Sequence, residues 1–293
     1  MKTNKLSILF LALSLITACQ TEPPHEPTMV LEGWIDANGY PIILLHKSFV
    51  MDNVPDSVQT IEEVAKEQII LWGRVAISDG EKEVVLTGRL DTTYMPPYCY
   101  TTLNMKGEVG KSYTVTATFK NMKATATTTI PPICSMDSAK VGTPADEKKK
   151  NLYIYMSNLP DEPAYYALFM RRKGEKQYQF CPYGVFDNSK ATDNKLEVMV
   201  FSPFRDSIGT VAGLFPLFMK DTVNTYQMKV SRIDEESYRF WSEYSSMISS
   251  QGVFFVPVFQ NIHGNVSGGI GNFTGMGSSA YEFKLSVDTT YVF

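Results

Sequence analysis

Apolar and polar positions alternate with period two along most of the chain. The apolar places are filled largely by β-branched and aromatic residues, which suit a pleated, half-buried surface. On that pattern residues 29–36, 42–49, 69–78, 83–89, 112–120 and 124–130 read as strands. Asp79 and Gly80, between two of them, tolerate the positive φ of a tight hairpin turn. Roughly six or seven strands within about a hundred residues predict an immunoglobulin- or transthyretin-like β-sandwich. Pro131 and Pro132 stiffen the chain and cannot continue a sheet, so the sandwich is expected over 28–132 and a second domain over 133–293. The second domain is also β-rich, with strands expected at 152–156, 164–172, 178–185, 196–201, 226–230, 253–259 and 281–287. The predicted fold class is mainly β.

The period changes in one place. Tyr238, Trp241, Tyr244, Met247 and Ile248 recur at three- and four-residue spacing, which predicts an amphipathic helix near 232–251. Ser231 to Asp234 resembles a capping box, Glu235 and Glu236 place negative charge at the positive end of the helix dipole, and Gly252 supplies a stop. Its aromatic face is expected to pack on the second sheet. A shorter helical turn is expected over 60–68, capped by Thr60.

The amino terminus follows another pattern. Lys2 and Lys5 precede an apolar run from Leu6 to Leu15, and Ile16, Thr17 and Ala18 lead to Cys19. This reads as a lipoprotein signal peptide over 1–18, with Cys19 as the lipid-attachment residue. The apolar run is shorter than the roughly 20 residues that span a bilayer. Residues 19–27, rich in proline and polar side chains, read as an extended tether. The expected location is the outer membrane, on its periplasmic face or the cell surface.

Charge and composition narrow the remaining chemistry. Lys plus Arg number 27 against 31 Asp plus Glu, and no basic stripe is present, which argues against a nucleic-acid partner. Of four cysteines, Cys19 is assigned to lipid. Cys134 and Cys181 form the preferred disulfide pair, the alternative being that Cys99, Cys134 and Cys181 are buried thiols. The three histidines, His25, His46 and His263, do not fall at metal-ligand spacing, so no metal and no cofactor is expected. A Gly-x-Ser-x-Gly elbow is missing, and the chain is not expected to be an enzyme. A surface hydrolase using His263 stands as the lesser alternative.

Three segments suit contact with a ligand or partner. The glycine-rich stretch 261–279 includes Asn261, Gly268, Gly269, Gly271 and Phe273. It reads either as a loop presenting its backbone or as a long turn whose glycines permit close packing. Tyr94 and Tyr98 flank Pro96 and Pro97, where aromatics can stack on a ligand or another protein, a loop clamped onto its own sandwich being the commoner arrangement. Residues 213–219 are apolar enough for docking, with burial the commoner reason for such a run.

Several runs together resemble domain-of-unknown-function family 4249. They are Val-Leu-Glu-Gly-Trp-Ile at 30–35, Ala-Ile-Ser-Asp-Gly at 76–80, Gly-Lys-Ser-Tyr-Thr-Val at 110–115 and Ala-Thr-Ala-Thr-Thr-Thr-Ile-Pro at 124–131. The helix around Tyr238 and Trp241 follows, then Asn-Ile at 261–262 and Gly-Gly-Ile-Gly-Asn-Phe at 268–273. The order of these runs carries the resemblance. The residues inserted between 262 and 268 depart from it. The resemblance implies an outer-membrane lipoprotein often encoded beside a TonB-dependent transporter, and it implies no catalytic residues. The expected function is an accessory or substrate-capturing partner of such a transporter, with a structural or adhesive surface module as the alternative. A capture role further predicts an open, aromatic-lined cleft between the two domains.

Overall fold

The computed structural model describes residues 26–48, 66–94, 97–143, 148–204, 210–211, 215–250, 262–286 and 288–293. Cys19, Gly252, Asn261, the strand expected at 253–259 and most of the 60–68 turn lie outside the described residues.

The amino-terminal half holds β1 (Met29–Asp36), β2 (Ile42–Lys47), β3 (Arg74–Ser78), β4 (Glu83–Val85), β5 (Thr87–Leu90), β6 (Tyr98–Thr101), β7 (Ser112–Phe119) and β8 (Met122–Thr129). The segment expected as one strand at 83–89 is two. Leu86, 5% exposed, turns into the core, and the chain passes from one sheet to the other. Likewise only the end of 69–78 is a strand, because Ile69 forms an isolated bridge to His46 and buried Ile70 offers its carbonyl to the Tyr100 hydroxyl at 2.6 Å. Tyr98, expected in a connecting loop, begins β6.

After Pro131 and Pro132 come β9 (Ser138–Gly142), β10 (Lys149–Ser157), β11 (Tyr165–Arg172), β12 (Gln179–Asp187), β13 (Lys195–Val200), β14 (Thr210–Val211), β15 (Phe215–Pro216), β16 (Phe218–Met219) and β17 (Thr225–Ile233). Then follow the helix α1 (Glu235–Ser250), β18 (Val266–Ser267), β19 (Ile270–Lys284) and β20 (Thr289–Val292). The glycine-rich stretch expected as a loop or long turn is therefore mostly the 15-residue strand β19.

One eight-stranded sheet, in the order β12-β11-β17-β19-β1-β2-β6-β5, runs through both halves of the chain. Its β5 end faces the sheet β18-β8-β7-β3-β4, and its β12 end faces the sheet β13-β10-β9-β20. Two hydrophobic cores result between the sheets, and a smaller third cluster of Ala167, Phe169, Ile233 and Met276 lies under the helix. The first gathers Leu31, Ile35, Ile43, Val75, Ile77, Tyr113, Val115 and Phe273. The second gathers Leu152, Ile154, Leu168, Met170, Met228, Val230, Phe283 and Leu285. Each such side chain contributes about 1.5–3 kcal/mol on leaving water.

β19 serves both cores. Its first half pairs with β1 in parallel, and from Gly277 onward it pairs with β17 in antiparallel register. Phe273 points into the first core and Phe283 into the second. The glycines make this possible. A β-carbon on Gly275 would lie 2.8 Å from the Thr129 carbonyl oxygen, and one on Gly277 would lie 2.4 Å from the carbonyl oxygens of Pro131 and Pro132. The diproline connection thus crosses directly over the strand. Asn265 braces the other side, its Oδ1 accepting from the Phe273 amide at 2.8 Å while its Nδ2 donates to the Phe273 carbonyl at 2.8 Å.

The helix begins one residue after its cap. Asp234, and not Ser231, holds that position: its Oδ1 accepts from the Ser237 amide at 2.8 Å, whereas Ser231 is buried within β17. Asp234 Oδ2 also accepts from the Thr128 hydroxyl of β8 at 2.7 Å, tying the helix start to the amino-terminal half.

The preferred Cys134–Cys181 disulfide is absent. Cys99, Cys134 and Cys181 are all free and buried, packing as small apolar groups. Burial pushes the Cys134 thiol up to about 12 and raises those of Cys99 and Cys181 as well. A maleimide is therefore expected to label none of the three in the native chain and all three after denaturation. Labelling of any one under native conditions would contradict this packing.

Candidate functional site

The strand period that fills the cores also dictates what faces the other way. In β1, Leu31, Gly33 and Ile35 point inward, leaving Glu32, Trp34 and Asp36 on the opposite face. In β19, Phe273 points inward, leaving Asn272, Thr274 and Met276. Lys229 of β17, Phe169 and Arg171 of β11 and Phe180 of β12 continue that face. The helix α1 lies along it, packing Tyr238 on Tyr165 with ring centroids 4.7 Å apart and Trp241 on Phe180 at 4.9 Å. The Trp241 indole N–H donates to Thr274 Oγ1 at 3.3 Å.

The helix does not cover the whole face. Between it and the amino-terminal half lies a cleft of about 480 Å³, lined by Trp34, Tyr94, Phe169, Tyr178, Phe180, Phe240, Trp241 and Tyr244 together with Glu32, Asp36, Arg171, Lys176 and Lys229. The size falls in the range of small-molecule sites. Two turns close one end. Tyr94, between β5 and β6, meets the Trp34 ring at 5.8 Å, and Gln177, between β11 and β12, donates to the neighbouring Thr93 hydroxyl at 3.0 Å.

Charge in the cleft is partly compensated. Lys229 pairs with Asp36 at 3.1 Å, under the rings of Phe169 and Tyr178, and the Ser278 hydroxyl also donates to Asp36. Arg171 lies over the Tyr178 ring at 4.3 Å, donating to the Gln227 side chain at 2.7 Å and to the Lys176 carbonyl at 3.0 Å. Burial raises the phenols of Tyr94, Tyr178 and Tyr244 above their ordinary range, so they stay neutral. Asn272 on the floor is buried; its Nδ2 donates to Thr274 Oγ1, and its Oδ1 has no hydrogen-bond partner.

Glu32 stands beside Asn272 in the parallel register of β1 and β19. Displacement of water by the surrounding protein raises its carboxyl above the ordinary range and the nearby His46 ring opposes that shift, while the solvent that Glu32 still meets keeps the effect small. The folded chain thus holds this proton more tightly than the unfolded chain. The resulting penalty is absent below the unfolded value of about 4.3 and grows as pH rises through the folded pKa. Glu32→Gln is therefore expected to raise Tm at pH 8 and to leave it unchanged at pH 4, as read by thermal denaturation. A variant melting no higher than wild type at pH 8 would refute this.

Of the residues singled out by sequence, Tyr94 lines the cleft. Tyr98 packs edge-on against Tyr100, its hydroxyl donating to the Leu71 carbonyl at 3.1 Å. Gly268 and Gly269 make the turn between β18 and β19 against Lys123, Ala124 and Met29, and Gly271 abuts the Leu31 backbone. Phe273 is fully buried in the first core. None of these five lines the cleft. His263 Nδ1 meets Glu243 Oε1 of α1 at 2.9 Å, and its amide donates to Oε2 at 2.7 Å, pinning this segment to the helix. Among the described residues no His, Cys, Asp and Glu side chains gather into a metal site, and no helix is long and apolar enough to cross a membrane.

Trp34, Phe169, Arg171, Tyr178, Phe180 and Lys229 were not singled out by sequence. Their signal was present: aromatics at alternate positions on strand faces opposite a core, as in Glu32-x-Trp34-x-Asp36 and Tyr178-x-Phe180. A strand apolar on both faces is covered on both.

The molecule is thus a mainly β protein with two inter-sheet cores, one shared sheet and an aromatic cleft beside its helix. The family model described as Domain of unknown function (DUF4249) matches residues 17–282, and the chain belongs to that family. No curated protein matches it.

Proposed function

We propose that this protein is a lipid-anchored accessory of the outer membrane that captures a small substrate for a TonB-dependent transporter. The observation that carries the reading is the cleft where the two halves meet: about 480 Å³, lined by eight aromatic side chains. Apolar walls supply affinity, and a few charged groups on rigid strands supply orientation. The sequence around Cys19 supports the anchor, with Cys19 carrying the lipid. Nine residues lie between Cys19 and the start of β1, a tether of at most roughly 35 Å. Confining cleft and transporter to one surface raises their effective concentration, so a weak contact between them suffices for transfer.

Two measurements test this. Metabolic labelling with a fatty acid is expected to mark the mature chain, with Cys19→Ala losing the label. Mild crosslinking followed by purification in detergent is expected to recover a transporter. An unlabelled, freely soluble mature chain, or recovery without any transporter under inducing conditions, would defeat the proposal.

A further inference from the structure

Of the cations around the cleft one has no ion pair among the described residues, and that one indicates what the cleft holds. Three cations line it, Arg171, Lys176 and Lys229, against two carboxyl groups, Glu32 and Asp36. Lys229 is satisfied by Asp36 at 3.1 Å. Lys176 stands near Asp91, whose carboxyl it helps to hold down after the stronger effect of the Thr93 hydroxyl. Arg171 differs from both. Its hydrogen-bond partners, the Gln227 side chain and the Lys176 carbonyl, are neutral, and its Cζ lies over the Tyr178 ring, 4.3 Å from the centroid. Among the described residues its charge is balanced by no ion pair. A guanidinium held over an aromatic ring and by two neutral acceptors is pre-organised to receive an anion through its remaining N–H groups.

Most neutral polar groups around the cleft are already committed, the Asn272 Oδ1 on its floor being the exception. Gln177 donates to Thr93, and Thr274 Oγ1 receives both the Trp241 indole N–H and the Asn272 amide. A neutral sugar, which needs many free donors and acceptors around its hydroxyls, finds few here. A flat ring finds the faces and edges of Trp34, Tyr94, Tyr178 and Trp241.

We infer that the cleft binds a small anion built on a planar ring, its ring against the aromatic wall and its acidic group on the Arg171 guanidinium. The inference rests on the cleft being a capture site and names its substrate class.

Isothermal titration calorimetry on the purified full chain, with 2-naphthoate, the isosteric neutral 2-naphthamide and maltohexaose as probes, tests it. Titration into the same detergent without protein gives the background, and Tyr94→Ala reads the part of the aromatic wall that belongs to neither core. The acid is expected to bind about tenfold tighter than the amide, the advantage of one charge-assisted hydrogen bond. Arg171→Gln is expected to abolish that difference while leaving amide binding unchanged, and Tyr94→Ala is expected to weaken both. Equal binding of acid and amide by wild type would overturn the anion assignment while leaving a ring-binding cleft. Binding of maltohexaose with neither naphthyl compound would overturn the substrate class and leave capture standing. Binding of no probe would overturn this inference and remove the observation on which the capture role rests.

Discussion

Gly271→Ala is expected to destabilise the chain by roughly 2–6 kcal/mol, combining positive-φ strain with overpacking. Gly271 sits at φ 119°, a conformation that L side chains rarely adopt. A β-carbon there would lie 2.0 Å from the Leu31 carbonyl oxygen, a backbone atom in the facing strand β1 that has no side-chain freedom with which to retreat. The effect is a large share of a total stability of about 5–15 kcal/mol. Gly142→Ala is the control: its added methyl meets nothing within 4 Å, so a change within about 0.5 kcal/mol is expected from denaturant unfolding. Equal effects of the two substitutions would mean that β1 and β19 are not paired as described.

The second large effect is expected at Phe273. Removing this fully buried ring by Phe273→Ala should cost about 3–5 kcal/mol, with Phe273→Leu costing less because it leaves a smaller void. The residue lies late in the chain yet fills the core of the amino-terminal half. Its loss is therefore expected to lower the denaturation midpoint reported by Trp34, in β1, and by Trp241, on α1, together, since β19 links the two regions. Two separate midpoints would argue that the halves are independent. The same variant separates packing from binding. Sequence alone made Phe273 a ligand-contact candidate; its burial makes stability, rather than ligand affinity, the property that changes.

The strands of the cores were legible because their side chains alternate. Met29–Asp36, Ser112–Phe119 and Tyr165–Arg172 emerge nearly as the pattern predicts. What alternation does not carry is which strands become neighbours. The parallel pairing of β1 with β19 joins segments more than two hundred residues apart, and no local signal encodes it. The glycines of β19 misled for a related reason. In isolation they signal turns, yet here they are small because Leu31, Thr129 and the diproline connection press against the strand. Short strands such as Ser138–Gly142 and Thr289–Val292 escaped because each is stabilised by its partners more than by its own residues.

The candidate site was legible only in fragments. The aromatic stripe of α1 and Tyr94 were both visible, but the stripe was assigned wholly to packing. Trp241 does pack on Phe180, and with Tyr244 it also walls the cleft. Arg171 and Lys229 fall in segments that alternation marks only as strands, 164–172 and 226–230. Only the placement of α1 over that face makes them part of a site.

Substrate uptake by intact cells tests the central claim most directly. Strains producing wild type, no protein, or Trp34→Ala with Tyr94→Ala at wild-type abundance should be compared across iron sources, glycans, peptides and aromatic acids. The account predicts that at least one substrate class enters more slowly in the deletion strain, and that the cleft variant falls to the same rate. A cleft variant that restores uptake fully, or a deletion that slows none of them, would contradict it.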